Sequence, residues 1–137
     1  MRCFVSLTVF LAVFAVVPLA AQATSGHVYG IRYHQVHQGQ DQAYAEVYAT
    51  VIRPVFDVAK ERGLIVSYLD LYQAAGDGKT THVLIVEYPN WAAIDGGNQQ
   101  MDEISQEVLG RPLMAAVAEW AEFRDFLYQE YYTSIVP

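Results

Sequence analysis

The chain has one cysteine in 137 residues, and that one is Cys3. Basic residues are scarce, with 8 Lys and Arg against 15 Asp and Glu. No Asn-x-Ser/Thr sequon occurs. Each absence excludes something. Without paired cysteines there is no disulfide framework and no thiolate metal site, so stability must come from packing, helped by self-association. An acidic chain lacks the basic face that nucleic acids and anionic membranes require of a partner. No Gly-rich nucleotide loop and no nucleophile elbow is present, so no cofactor is expected. His34-x-x-His37 has the look of a metal pair. On a strand, positions three apart face opposite sides, so the two cannot share an ion, and no metal is expected.

What is present begins with an uncharged stretch from Cys3 to Gly26, preceded by Arg2. Its most apolar part, Phe4 to Val17, is shorter than the roughly 20 residues that span a bilayer. Ala21-Gln22-Ala23 then offers the small side chains of a signal-peptidase site. The expectation is a cleaved leader, 1–23, and a mature domain, 24–137, that works in the periplasm or outside the cell. Loss of Arg2 leaves 7 basic against 15 acidic residues, a net charge of −8. The remaining 114 residues suffice for one domain.

Six elements are predicted in it. His27 to His37 is aromatic and β-branched with rough alternation, a strand running into Gln38-Gly39-Gln40. Asp41 stands where a helix N-cap belongs. Tyr44, Val47, Tyr48, Val51, Val55, Val58 and Ala59 then recur at helical spacing up to Gly63, with Pro54 set to kink or divide the helix. Leu64 to Tyr72 and Thr80 to Tyr88 read as two strands of an antiparallel hairpin, joined through Ala75-Gly76-Asp77-Gly78-Lys79. Trp91 to Ile94 is a short helical turn. Met101, Ile104 and Val108 form a stripe ending at Gly110. Pro112 suits a first helical position, followed by Leu113, Val117, Trp120 and Phe123. Phe126 to Val136 is compatible with helix or strand, and its Tyr, Thr, Ile and Val content favours a strand.

The order β-α-β-β-α-β is the ferredoxin-like pattern, an α+β fold. Two helices on one side of a four-stranded sheet leave the other side bare, and a second copy packed face to face is the usual remedy.

The segments HQVHQGQDQAY, VLIVEYPNWAAI and EFRDFLYQEYYTSIVP resemble the dimeric α/β-barrel superfamily. That group includes cofactor-independent antibiotic-biosynthesis monooxygenases, haem-degrading monooxygenases, polyketide cyclases and uncharacterised exported domains. The resemblance covers nearly all of 27–137 and carries fold better than activity. It implies a homodimer whose open sheet faces enclose a cavity for a small, aromatic or polyketide-like molecule. The haem-degrading members use an Asn on the first strand and a His on the second helix. Here the first-strand candidate is Arg32 and no His follows His82, so haem chemistry is not carried over.

Within that frame, if Val83 and Ile85 pack on the helices, His82 points into the cavity and serves as general base. Arg32 and His34 share a face of the first strand, and Arg32 is the candidate clamp for a carboxylate or enolate oxygen. A rim salt bridge to Asp70 or Glu87 is the plainer role for it. Tyr68 and Asp70 share a face of the second strand, and with His82 they would form a polar cluster in which Asp70 fixes the imidazole. Trp91 matches in position an aromatic that lines the site in several of the monooxygenases. It would also serve as a plain hydrophobic cap on the barrel end. Catalytic candidates are therefore His82, Arg32 and Asp70, and binding candidates His34, Tyr68 and Trp91. A non-catalytic exported binding or structural module accounts for the same residues as rim polarity.

Overall fold

The computed structural model describes residues 26–134. The expected leader and the last three residues lie outside the described residues. The elements are β1 (Val28–Val36), α1 (Asp41–Val47), a π-helical turn (Tyr48–Ile52), α2 (Arg53–Glu61), β2 (Ser67–Tyr72), β3 (His82–Tyr88), α3 (Trp91–Asp95), α4 (Gly97–Leu109), α5 (Leu113–Ala118), a 3-10 turn (Glu119–Glu122) and β4 (Arg124–Thr133). The four strands form one antiparallel sheet in the order β2-β3-β1-β4, with all helices on one side. This is the ferredoxin-like α+β fold that the element order predicts.

Several boundaries move for physical reasons. Gln40, not Asp41, is the N-cap, and Asp41 is the first helical residue, where its charge suits the helix dipole. Pro54 divides the first helix, as expected. The backbone widens into a π turn just before it, with Arg53 N bonding to Tyr48 O, which relieves the clash a proline makes one turn back. Pro112 is the extended N-cap of α5, not its first helical residue. Gly110 ends α4 in the left-handed region, φ 73°, where a side chain would be strained. The strand expected from Leu64 starts at Ser67, because Leu64 and Ile65 are buried in the core before the ladder begins. The third strand starts at His82, not Thr80. The last segment is a strand, running from Arg124 to Thr133 rather than from Phe126.

The core lies between the helices and one sheet face. Val55, Phe56 and Ala59 of α2, Ile104 of α4, Ala116 of α5 and Trp120 meet Leu84 and Val86 of β3 there. The burial alternation decides which side each strand residue takes. His82, Leu84 and Val86 are buried under the helices, and Val83 and Ile85 face the bare side. This reverses the orientation under which His82 would face the open sheet. Through the strand register, Gly30, Arg32 and His34 of β1 and Tyr68, Asp70 and Tyr72 of β2 join the helix side. Tyr29 and Tyr33 lie on the other. β4 follows with a bulge: His34 pairs with Phe126 while Tyr33 pairs with Tyr128, leaving Leu127 as the extra residue.

Candidate functional site

The polar candidates therefore sit between sheet and helices, not between two open sheets. They divide into two groups on either side of a column of rings. His82 packs on Tyr44 with centroids 4.3 Å apart and the ring planes tilted by 45°, and Tyr44 stacks on Trp120 at 5.3 Å. The guanidinium carbon of Arg124 lies 4.3 Å from the Trp120 ring centroid. Tyr44 and Trp120 are each 2% exposed, so this column is a fixed wall.

On the Trp120 side is a cavity of about 650 Å³. Its sheet wall is Arg32, His34, Leu84, Val86, Tyr88, Arg124, Phe126, Gln129 and Tyr131, and its helix wall includes Phe56, Met101, Leu113, Val117 and Trp120. Gly30 lies beneath the Tyr88 and Tyr131 rings. A Cβ there would stand 3.3 Å from the Tyr88 ring and 3.2 Å from the Tyr131 ring, so glycine lets both rings settle over β1. Arg32 Nε donates to Gln129 Oε1 at 3.3 Å, and Arg32 pairs with neither Asp70 nor Glu87. Arg124 Nη1 lies against both ring nitrogens of His34, 2.9 Å from Nε2. Burial, then Arg124, Arg32 and His82, push His34 down to about 3, so its ring is neutral and accepts from the guanidinium. Burial also lowers Arg124, to about 10, which leaves it charged at neutral pH.

The charge balance is lopsided. Two guanidinium groups line this cavity, and among the described residues neither has a carboxylate in ion-pair contact. The one acid on the wall, Asp102, is engaged by the backbone N–H of Leu113. Among the described residues, three buried side-chain atoms lack a hydrogen-bond partner: Trp120 Nε1, Arg124 Nε and Gln129 Nε2. All three are donors, and all three residues line this cavity. Gln129 is oriented by its bond from Arg32, so its free atom is the amide nitrogen.

On the other side of the ring column is an open cleft of about 580 Å³ between α2 and the edge strand β2. It holds His82, Asp70 and Tyr68, but not as the expected cluster. Asp70 Oδ1 accepts from the Tyr44 hydroxyl at 3.2 Å, while Tyr68 donates to Asp57 at 2.6 Å. His82 Nδ1 is 3.2 Å from Thr81 Oγ1, so Asp70 does not orient it. Burial holds Asp70 up at about 6 and pushes His82 down. His34 and Arg32 thus share one cavity, and His82, Asp70 and Tyr68 share the other. Trp91 is half exposed and packs on Tyr131 at 5.6 Å, at the rim beside the first cavity. His37 is exposed at 3.4 Å from Asp125, away from His34, and no metal-ligating cluster occurs among the described residues.

Sequence reasoning missed Arg124, Trp120, Gln129 and Tyr44. Arg124 carried a readable signal, a second arginine beside an aromatic strand. Gln129 carried none, because the bulge changes which β4 residues share the face of Arg124.

No family model and no curated protein sequence matches the chain. Solved structures do match in shape. A dimeric ferredoxin-like protein from an uncultured marine organism superposes with a TM-score of 0.58 at 10% identity, over 82% of this chain and 98% of its own. The chain has the ferredoxin-like fold. A Dabb-family protein with this fold from Mesorhizobium loti gives 0.56 at 12% identity, over 80% and 98%. SnoaB, a cofactor-independent oxygenase from Streptomyces nogalater, gives 0.50 at 14% identity, over 81% and 95%.

Proposed function

We propose that this dimeric α/β-barrel domain binds a flat, oxygen-rich small molecule as its anion, in the cavity floored by Arg32, His34 and Arg124. The observation that carries this is the surplus of donors among the described residues: two guanidinium groups without a carboxylate in contact, and three buried N–H donors without an acceptor, one of them Arg124 Nε, with no free acid on the wall to answer them. A buried donor without an acceptor costs about 1–3 kcal/mol. A ligand with enolate, phenolate or carboxylate oxygens would recover that cost. The aromatic walls of Tyr88, Phe126, Tyr131 and Trp120 suit a planar ring system. An enolate stabilised by fixed donors in a dry site is the reactive species of cofactor-independent oxygenation and of ring closure. The fold shared with SnoaB fits that reading. In this reading no bound cofactor is needed, and Arg32 and Arg124 together stabilise the anion.

His82 is a base candidate for the second cleft only, since the ring column separates it from Arg32. That separation favours a second reading, a binding module that holds the anion without turning it over. A fluorescent phenol whose neutral and ionised forms absorb differently, such as 7-hydroxycoumarin, tests the shared claim. Bound phenol should ionise at least one pH unit below free phenol. An unchanged or raised ionisation point would sink the anion site, and an oxygen electrode with a hydroxylated naphthoquinol separates turnover from binding.

We also infer a homodimer through the bare sheet face. Ile31, Val83 and Ile85 line its centre, and Leu69 and Leu71 are 53% and 43% exposed on it. An apolar face of this kind is covered by a partner in a stable protein. Light scattering should give twice the chain mass, and Ile31→Lys should give monomer with unchanged secondary structure. A wild-type monomer at micromolar concentration would overturn this. Export to the periplasm or beyond rests on the leader ahead of Thr24 and is checked by the N-terminal sequence of protein expressed with it.

A further inference from the structure

We propose that the cleft between α2 and the edge strand β2 is a second ligand site, for an aromatic zwitterion whose ammonium group pairs with Asp70 and whose anionic end faces Arg53 and Lys60. It does not depend on what fills the helix–sheet cavity.

Asp70 comes first. Its carboxylate is half-buried in the cleft, and the Tyr44 hydroxyl is its one hydrogen-bond donor among the described residues. No lysine, arginine or histidine reaches it as an ion pair. A carboxylate in that position is short of solvent and has no cation in contact, Arg124 acting on it only at a distance, and its raised pKa is caused chiefly by burial. An ammonium group restores what burial removed.

The walls select what else the ligand carries. The cleft is lined by the rings of Tyr44, Tyr48, Tyr68, Tyr72 and His82. Tyr72 is 66% exposed, far more than packing requires, and meets His82 edge-on at 5.3 Å. Ring faces beside a carboxylate attract organic cations and stack on flat groups. Arg53 and Lys60 line the same cleft, exposed, and neither makes an ion pair with Asp57 or Asp70. Arg53 instead lies 5.8 Å from the Tyr48 ring centroid. Both of these cations come from α2, whose Asp57 is taken by the Tyr68 hydroxyl, and the half-buried carboxylate of Asp70 comes from β2. A ligand of one charge would meet repulsion at one end, and a zwitterion meets attraction at both.

The probes are L-phenylalanine, phenethylamine and 3-phenylpropionate, titrated into isotopically labelled folded protein and followed by amide chemical shifts. L-phenylalanine should move the amides of Ala45, Leu69 and Asp70, and 3-phenylpropionate should bind there at least tenfold more weakly. Asp70→Asn, which keeps an acceptor for Tyr44, should weaken L-phenylalanine at least tenfold. The exposed pair Arg53→Gln with Lys60→Gln should make phenethylamine bind as well as L-phenylalanine, which keeps the test alive if the Asp70 variant does not fold. Shifts centred on Trp120 and Gln129, no saturable shift with any probe, or full L-phenylalanine affinity in the folded Asp70 variant would each overturn the proposal.

Discussion

Arg124→Met should raise the melting temperature and abolish binding of an anionic aromatic probe. Arg124 is 9% exposed, and its guanidinium has no carboxylate in contact and leaves its Nε unsatisfied. A buried ion without a partner costs several kcal/mol after relaxation. Against this stand the stacking on Trp120, worth about 2 kcal/mol at most when desolvated, and the bond to His34, whose loss strands a ring nitrogen at about 1–2 kcal/mol. Methionine fills similar volume with no polar atom. The net gain should be about 1–2 kcal/mol, or roughly 5–10 °C in melting temperature for a domain of this size. Thermal unfolding checks the first half and the ionising-phenol titration the second. A variant that melts several degrees lower would mean that Arg124 is there to hold the fold rather than a ligand. Stability given up at one buried cation is the mark of a site kept for use.

That cation was only partly legible in the sequence. The periodicities of 41–63 and 64–88 and the Gly and Pro punctuation suffice for the βαββαβ order, because a helix stripe and a hairpin are local patterns. The boundaries that moved did so through tertiary demands: Leu64 and Ile65 are apolar enough for a strand but are taken by the core. Faces are harder, because a period-two pattern of apolar residues on both sides does not say which side the helices cover. Val83 and Ile85 look as core-like as Leu84 and Val86, so His82 fell on the wrong side. The ring column was not legible at all. Tyr44 and Trp120 are 76 positions apart in the chain, and only the fold stacks them.

A second large effect concerns acid. His34 is 1% exposed and stays neutral in the folded protein down to about pH 3, while in the unfolded chain it takes a proton near 6.5. Its folded pKa is the lower one, so the unfolded state binds the extra proton and stability falls as pH drops from about 6.5 toward 3. By pH 4 the loss is about 3 kcal/mol. Asp70 works the other way. Its folded pKa of about 6 lies above the ordinary 3.8, so acidification between about 6 and 4 favours the fold. The group is partly solvated, and about 1 kcal/mol of offset is a fair allowance. The wild type should therefore lose about 2 kcal/mol between pH 7 and 4 by denaturant titration. His34→Gln, which cannot titrate, should flatten or reverse that slope, and an unchanged slope would show that His34 is not the acid-sensitive group. Comparing slopes rather than absolute stabilities separates this from any packing lost with the ring.

The bulge at Leu127 has a consequence of its own. Because one extra residue sits there, the two halves of β4 run out of phase: Arg124 and Phe126 are even-numbered on the cavity side, Gln129 and Tyr131 odd-numbered. A one-residue deletion in a strand normally swaps its two surfaces from that point on. Here, removing Leu127 alone would instead close the bulge: Phe126 would still pair with His34 and Tyr128 with Tyr33, so Gln129 and Tyr131 would stay on the cavity side and Tyr128 and Glu130 on the other. One residue of slack is thus built into β4, and the strand can give it up without the ligand wall or the partner-facing surface changing sides.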